Sequence, residues 1–426
     1  MRPACCVRTV DHVGASLAGK QAWPVRRTLA AGVSLLLIVS SLLAAARLND
    51  VLQLDPGPHE FNVAAWVTRN FPSKWLFLTG EAIRGRPPQA LQDETTQRFF
   101  ELTGAIEEVE RSLSEARQRG LQPDEDSAKM LAALREERDT IENQVEATLE
   151  ARVSTAAERA GLTRTVIDIV WPPVDFEFTD SPRTLVTSRR DRIQVVDTDL
   201  LRAGLAPSEI DAIEEETASQ RNVSALAFST SGVGAYPTLV GFSADYPSTL
   251  ETIAHEWVHN YLFFYPLGFN YYDSDDLRAL NETVANIVGR ELAAAVMEVW
   301  PLQTNGGDAP PQDEMTRDLD PDIGAELRSL RGEVDVILAE GRIADAERLM
   351  EERRRDFAER GYYIRKLNQA YFAFTNLYAG ETGSPAATNP IGLKIDELRG
   401  RSASLRDFVE KVSDVTSVEE LDRLLR

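Results

Sequence analysis

The sequence predicts an α+β fold that is mostly helical, with a small mixed β-sheet, an inserted long helical hairpin and a helical C-terminal part. Three observations predict it. Residues 94–161 and most of 301–426 carry apolar residues at intervals of three and four, the period of a helix. Residues 165–242 hold short β-prone runs separated by turn residues. Shortly after the last run, residues 252–261 (TIAHEWVHNY) read as a buried helix with two histidines four apart.

At 426 residues the chain has room for two or three domains, or one domain with helical embellishments. A net charge of −22 argues against nucleic acid as a partner, because phosphates are repelled. Both cysteines, Cys5 and Cys6, stand near the amino terminus, so no disulfide staples the main body and no cysteine metal site exists there. They are either incidental or sites of acylation before a membrane segment.

The elements follow in order. Residues 1–27 form a basic tail with five Lys or Arg against Asp11. Residues 28–46 (TLAAGVSLLLIVSSLLAAA) carry no charge and reach about 28 Å as a helix, enough to cross a hydrocarbon core. The expectation is a signal anchor in the lipid bilayer, tail in the cytoplasm, with everything after Arg47 on the extracytoplasmic side of the cell membrane. The alternative is secretion after cleavage at the small residues Ala44 to Ala46.

Residues 50–93 are a juxtamembrane segment whose aromatics (Phe61, Trp66, Phe71, Trp75, Phe77) lie in the membrane interface or pack on the domain. Residues 94–161 read as an antiparallel hairpin. Phe99, Leu102, Ile106, Val109, Leu113 and Ala116 line one helix, and Leu131, Leu134, Ile141, Val145 and Leu149 the other. Its role is a structural arm or a partner-binding one.

Residues 165–300 are expected to hold the sheet and the site. Strands are expected at 166–171, 184–187, 192–196, 225–228 and 237–241, with a helix at 207–219 between them. The glycine-rich stretch 231–235 is either a plain turn or the lead into an edge strand that pairs with an extended peptide. Ser248 and Glu251 read as a capping box starting the histidine helix. Residues 301–426 read as a helical subdomain, with helices at 327–340, 343–360 and 362–378 and two short ones over 402–425.

The chemistry sits in His255, Glu256 and His259, an H-E-x-x-H pattern. Residues i and i+4 share a helix face, so both imidazoles reach one point and suit Zn²⁺. Glu256, rotated by about 100° around the axis, falls beside the metal's water and suits a general base. A third ligand is required, and no histidine remains downstream to supply it. Glu282 is the leading candidate, in a second helix with Asn286 one turn later to hold a ligand histidine. Asp273, Asp275, Asp276 and Glu291 are rivals. Hydrolysis also needs an oxyanion donor, for which Tyr371, Tyr363 and Arg365 are the available residues.

H-E-x-x-H followed by a helix beginning N-E-x-x-x-N resembles the gluzincin zinc metallopeptidases over residues 248–291. The resemblance implies a zincin-like catalytic domain. It also implies His255, His259 and Glu282 as ligands, Glu256 as base, and Asn286 where that clan often has an Asp. No G-x-M-E-N stretch, used by its aminopeptidase branch, is present. The expected function is a membrane-anchored zinc hydrolase acting on peptides or proteins. Two alternatives stand beside it: a membrane-tethered helical interaction protein with a structural or decayed metal site, and a zinc hydrolase of a non-peptide substrate.

Overall fold

A computed structural model describes residues 57–63, 65–67, 87–118, 125–164, 169–302, 321–375 and 391–426. The expected membrane segment 28–46, Phe71, Trp75 and Phe77 lie outside them. Among the described residues no helix is long and apolar enough to cross a membrane.

The fold is α+β, mostly helical with small sheets. Helices α1 (Gln89–Gln118) and α2 (Glu125–Arg159) form the expected hairpin. Its base is part of the core: Phe99, Phe100, Leu102, Val145 and Leu149 are buried, and Phe99 stacks on Phe178 at 4.7 Å. The hairpin thus packs on the domain as a structural element.

Strands β1 (Thr163–Arg164) and β2 (Ile169–Val170) make a two-residue pair. After them come β3 (Phe176–Thr179), β4 (Arg183–Arg189), β5 (Val195–Leu201), helix α3 (Pro207–Arg221), β6 (Val223–Ser229), β7 (Gly232–Val233) and β8 (Thr238–Gly241). They build two three-stranded sheets where one was expected. The antiparallel sheet runs β5-β4-β6, and the mixed sheet runs β3-β8-β7, with β3 parallel and β7 antiparallel to β8. The third expected strand begins at Val195, not Arg192.

Alternation along β4 and β6 gives the antiparallel sheet two apolar faces. Leu185, Ala225 and Ala227 pack on Leu205 and Ile210 at α3. Val186, Leu226 and Phe228 pack on the C-terminal helices. The edge strand β5 is extended by the incoming chain: the Phe61 N–H donates to Leu200 O and the Arg202 N–H to His59 O, both at 2.8 Å. Trp66 then packs on the domain, its indole N–H donating to Thr179 Oγ1 at 3.3 Å.

The mixed sheet has two unlike edges. On the β3 side, α2 takes the place of a neighbouring strand. The Phe176 N–H donates to Glu150 Oε1 at 3.0 Å and the Phe178 N–H to Glu146 Oε1 at 2.7 Å. Four helical residues rise about 6 Å and two strand residues about 6.6 Å, so the two carboxylates match alternate amides. Among the described residues no side chain covers the β7 edge in this way.

Helix α4 (Tyr246–Leu262) follows β8 and holds the histidines. Its cap is Asp245, whose carboxylate accepts from the Ser248 N–H at 3.2 Å, not Ser248 as expected. Pro247 lies inside the first turn, where its missing N–H costs nothing. A short turn, α5 (Pro266–Phe269), leads to α6 (Asp275–Val299), which returns along α4 and is buried over most of its length.

The remainder is α7 (Pro321–Ala339), α8 (Ile343–Glu359), α9 (Gln369–Thr375), α10 (Ile391–Arg401), α11 (Leu405–Val412) and α12 (Val418–Leu424). The expected helix at 362–378 is only α9 among its described residues. The segment before it is tied to the antiparallel sheet by side chains: Asn368 donates to Ala225 O, and Arg365 and Lys366 pair with the fully buried Glu214.

Candidate metal centre

Helices α4 and α6 bring three donor atoms together. His255 Nε2 and His259 Nε2 lie 3.0 Å apart, and Glu282 Oε2 lies 3.3 Å from the first and 3.5 Å from the second. A tetrahedral cation with bonds of about 2.0–2.1 Å separates its donors by about 3.3 Å. Glu282 Oε2 is buried and has no hydrogen-bond partner. Two imidazoles and an otherwise unsatisfied carboxylate oxygen at these separations fit a divalent cation.

The close approach of the two helices makes this possible. Gly289 of α6 faces α4, and a Cβ there would stand 3.1 Å from both the Glu251 carbonyl oxygen and the His255 backbone nitrogen. Two of the three donors, His259 and Glu282, are also held from behind. Asn281 Oδ1 lies 2.7 Å from His259 Nδ1, which leaves the Nε2 lone pair facing the other donors. Tyr271 donates its hydroxyl to Glu282 Oε1, and its ring meets the His259 ring edge-on at 5.9 Å.

The electrostatics follow from this packing. Burial opposes charge on His259, but the Glu282 carboxylate outweighs it and raises the imidazole pKa to about 9. Burial likewise works against ionised Glu282, and the two imidazoles overcome it, holding the carboxyl well below the usual range. Burial raises the pKa of Glu256, with the histidines opposing.

Glu256 is not one of the three converging donors, and its carboxylate rests against β7. A Cβ on Gly232 would stand 2.6 Å from Glu256 Oε1, and one on Gly234 would stand 3.4 Å from Oε2. The glycines of 231–235 thus form the wall against which the carboxylate rests. Gly241 N–H donates to Ser231 O, so Ser231 and Gly241 form a hydrogen-bonded pair. The alternation of an antiparallel ladder then turns the N–H and C=O of Gly232 away from β8, toward the open edge.

The structure brings His255, His259 and Glu282 together, and the rivals stand apart from them. Among the described residues His255, His259 and Glu282 are the one group whose donors converge. Glu291 is paired with Arg399 at 2.6 and 2.8 Å. Two expectations are corrected. The histidine partner is Asn281, directly before Glu282; Asn286 is buried one turn further on, its Nδ2 unpartnered. Tyr371 is a core residue beside Phe228 under the antiparallel sheet, Tyr363 is exposed and Arg365 is ion-paired, so none of them joins the donors. The tyrosine at the site is Tyr271. Its place in an aromatic loop between the ligand helices was the available signal.

Comparison with family models, curated proteins and solved structures finds no match for this chain.

Proposed function

We propose that the chain is a zinc-dependent peptide hydrolase with His255, His259 and Glu282 as ligands and Glu256 as general base. The convergence of three donor atoms at tetrahedral separations carries this reading. A buried carboxylate one residue beyond the first ligand supports hydrolysis over a purely structural site, which would have no use for it. Zinc, when bound, supplies Lewis acidity toward a water and a substrate carbonyl.

Glu256 Oε1 takes a proton from the attacking water as its oxygen adds to the carbonyl carbon. The same carboxyl returns that proton to the leaving nitrogen as the C–N bond breaks. The outward N–H and C=O of Gly232, beside Glu256, suit an extended peptide added to the sheet edge. Tyr271 donates its hydroxyl to Glu282 and so holds that ligand in place. The uncharged stretch 28–46 would tether the hydrolase to a membrane with this domain outside.

Elemental analysis of the purified full-length protein tests the metal site. One zinc per chain is expected, absent from His255→Ala. Glu256→Gln should keep the zinc and lose peptide hydrolysis. Zinc-free folded protein that takes up none on titration refutes the site. Undiminished hydrolysis by the Gln variant refutes the base.

A further inference from the structure

We propose that Arg278 is a recognition residue for a substrate carboxylate, set one helical turn from the ligands; this rests on the reading of the site as a peptide hydrolase. Helices α4 and α6 are joined by the loop 263–274. Moving from His259 toward Phe263 and from Glu282 toward Arg278 therefore leads to the same end of the cleft. Arg278 precedes Glu282 by four residues and shares its face, about 6 Å along the axis.

The guanidinium is held but not satisfied. Its carbon lies 5.7 Å from the ring centre of Tyr271 and 5.5 Å from that of Tyr272. Tyr271 is the residue that contacts both Glu282 and His259. Among the described residues Arg278 makes no side-chain hydrogen bond and no ion pair, and its buried Nε lacks a partner. Asp275 senses its charge without pairing with it. Other arginines of the domain are engaged, such as Arg365 with Glu214 and Arg399 with Glu291.

Aromatic rings fix a guanidinium by cation–π attraction without consuming its N–H groups. Those groups then form a fork matched to a carboxylate. In a chain of net charge −22, an unpaired cation beside the ligands gives an anionic group a defined place to dock. The carboxylate is either the C-terminal one of a short peptide or an Asp or Glu side chain near the scissile bond.

The test uses full-length Glu256→Gln protein loaded with zinc, which binds without turnover. The probe is a peptide that the wild-type protein cleaves, selected from a degenerate library. It is made in three forms: free C-terminal acid, C-terminal amide, and amide with an acidic residue beside the scissile bond. Fluorescence anisotropy reads the dissociation constants. One acidic form should bind about ten- to hundredfold tighter than the plain amide, and which form does so identifies the source. Adding Arg278→Met should erase that difference at unchanged zinc content and circular dichroism, and Arg278→Lys should restore part of it. Equal binding of all three forms, or a difference that survives Arg278→Met, overturns the proposal while leaving the hydrolase reading intact. Zinc-loaded wild-type protein that cleaves no peptide overturns both.

Discussion

Replacing Gly232 with alanine tests the link between the edge strand and the base. Gly232 does not occupy the left-handed region, so its backbone accepts alanine. The added methyl would stand 2.6 Å from Glu256 Oε1, 2.7 Å from its Cγ and 2.9 Å from its Cδ, where ordinary contact begins at 3.4 Å. The carboxylate must therefore retreat by about 1 Å, and displacement of a reacting group on that scale costs about 100-fold in rate. The ligands are untouched, so zinc content should stay at the wild-type value. Overpacking beside a two-residue strand should cost about 1–3 kcal/mol of stability, less than unfolds a domain of ordinary stability. The assay is kcat on a cleaved peptide beside zinc stoichiometry and a urea titration. Wild-type kcat in a folded, zinc-loaded variant would refute the placement of Glu256 as base against β7.

Three further outcomes are expected. Asn281→Ala removes the partner of His259 Nδ1 and should weaken zinc binding about 10–100-fold by competition with a chelator, while Asn286→Ala should change it less. Gly289→Val drives side-chain atoms against the α4 backbone at His255 and should lower both the melting temperature and zinc affinity, by about 1–3 kcal/mol of stability. Glu214→Ala takes the carboxylate acceptor from the buried Ala227 N–H and one partner each from Arg365, which keeps Asp211, and the partly exposed Lys366, and should cost about 1–3 kcal/mol in urea unfolding with zinc content unchanged.

The site was legible in the sequence to the extent that its spacing is local. His255, Glu256 and His259 sit on one helix, and a helix dictates which of them share a face. Glu282 lies on another helix, yet its type and the neighbouring Asn281 marked it. The spacing pointed to Asn286 as the histidine's partner where the structure has Asn281, because that choice depends on how α6 lies across α4. Gly289, whose missing side chain sets that approach, carries no chemistry of its own.

Tyr371 misled because an apolar, aromatic run signals burial without saying in which core, and the chain has more than one. The shortened α9 has a similar origin: side-chain bonds from Asn368, Arg365 and Lys366 to the sheet replaced helical turns. Strands β3 and β7 were missed for the same reason. The first is four residues between prolines, and the second is two residues containing a glycine, each too short to show alternation.

The two glutamates that α2 lends to β3 change the standing of the hairpin. An accessory arm can be shortened or deleted by evolution, or by an engineer, without consulting the rest of the molecule. This one cannot, because Glu146 and Glu150 close a sheet whose opposite margin borders the base. Removing the arm would bare two amides and offer the sheet a second place to recruit a strand, inviting self-association. A descendant lacking the hairpin would have to seal that margin by another device, such as a ninth strand. The hairpin and the sheet that borders Glu256 are therefore one structural unit.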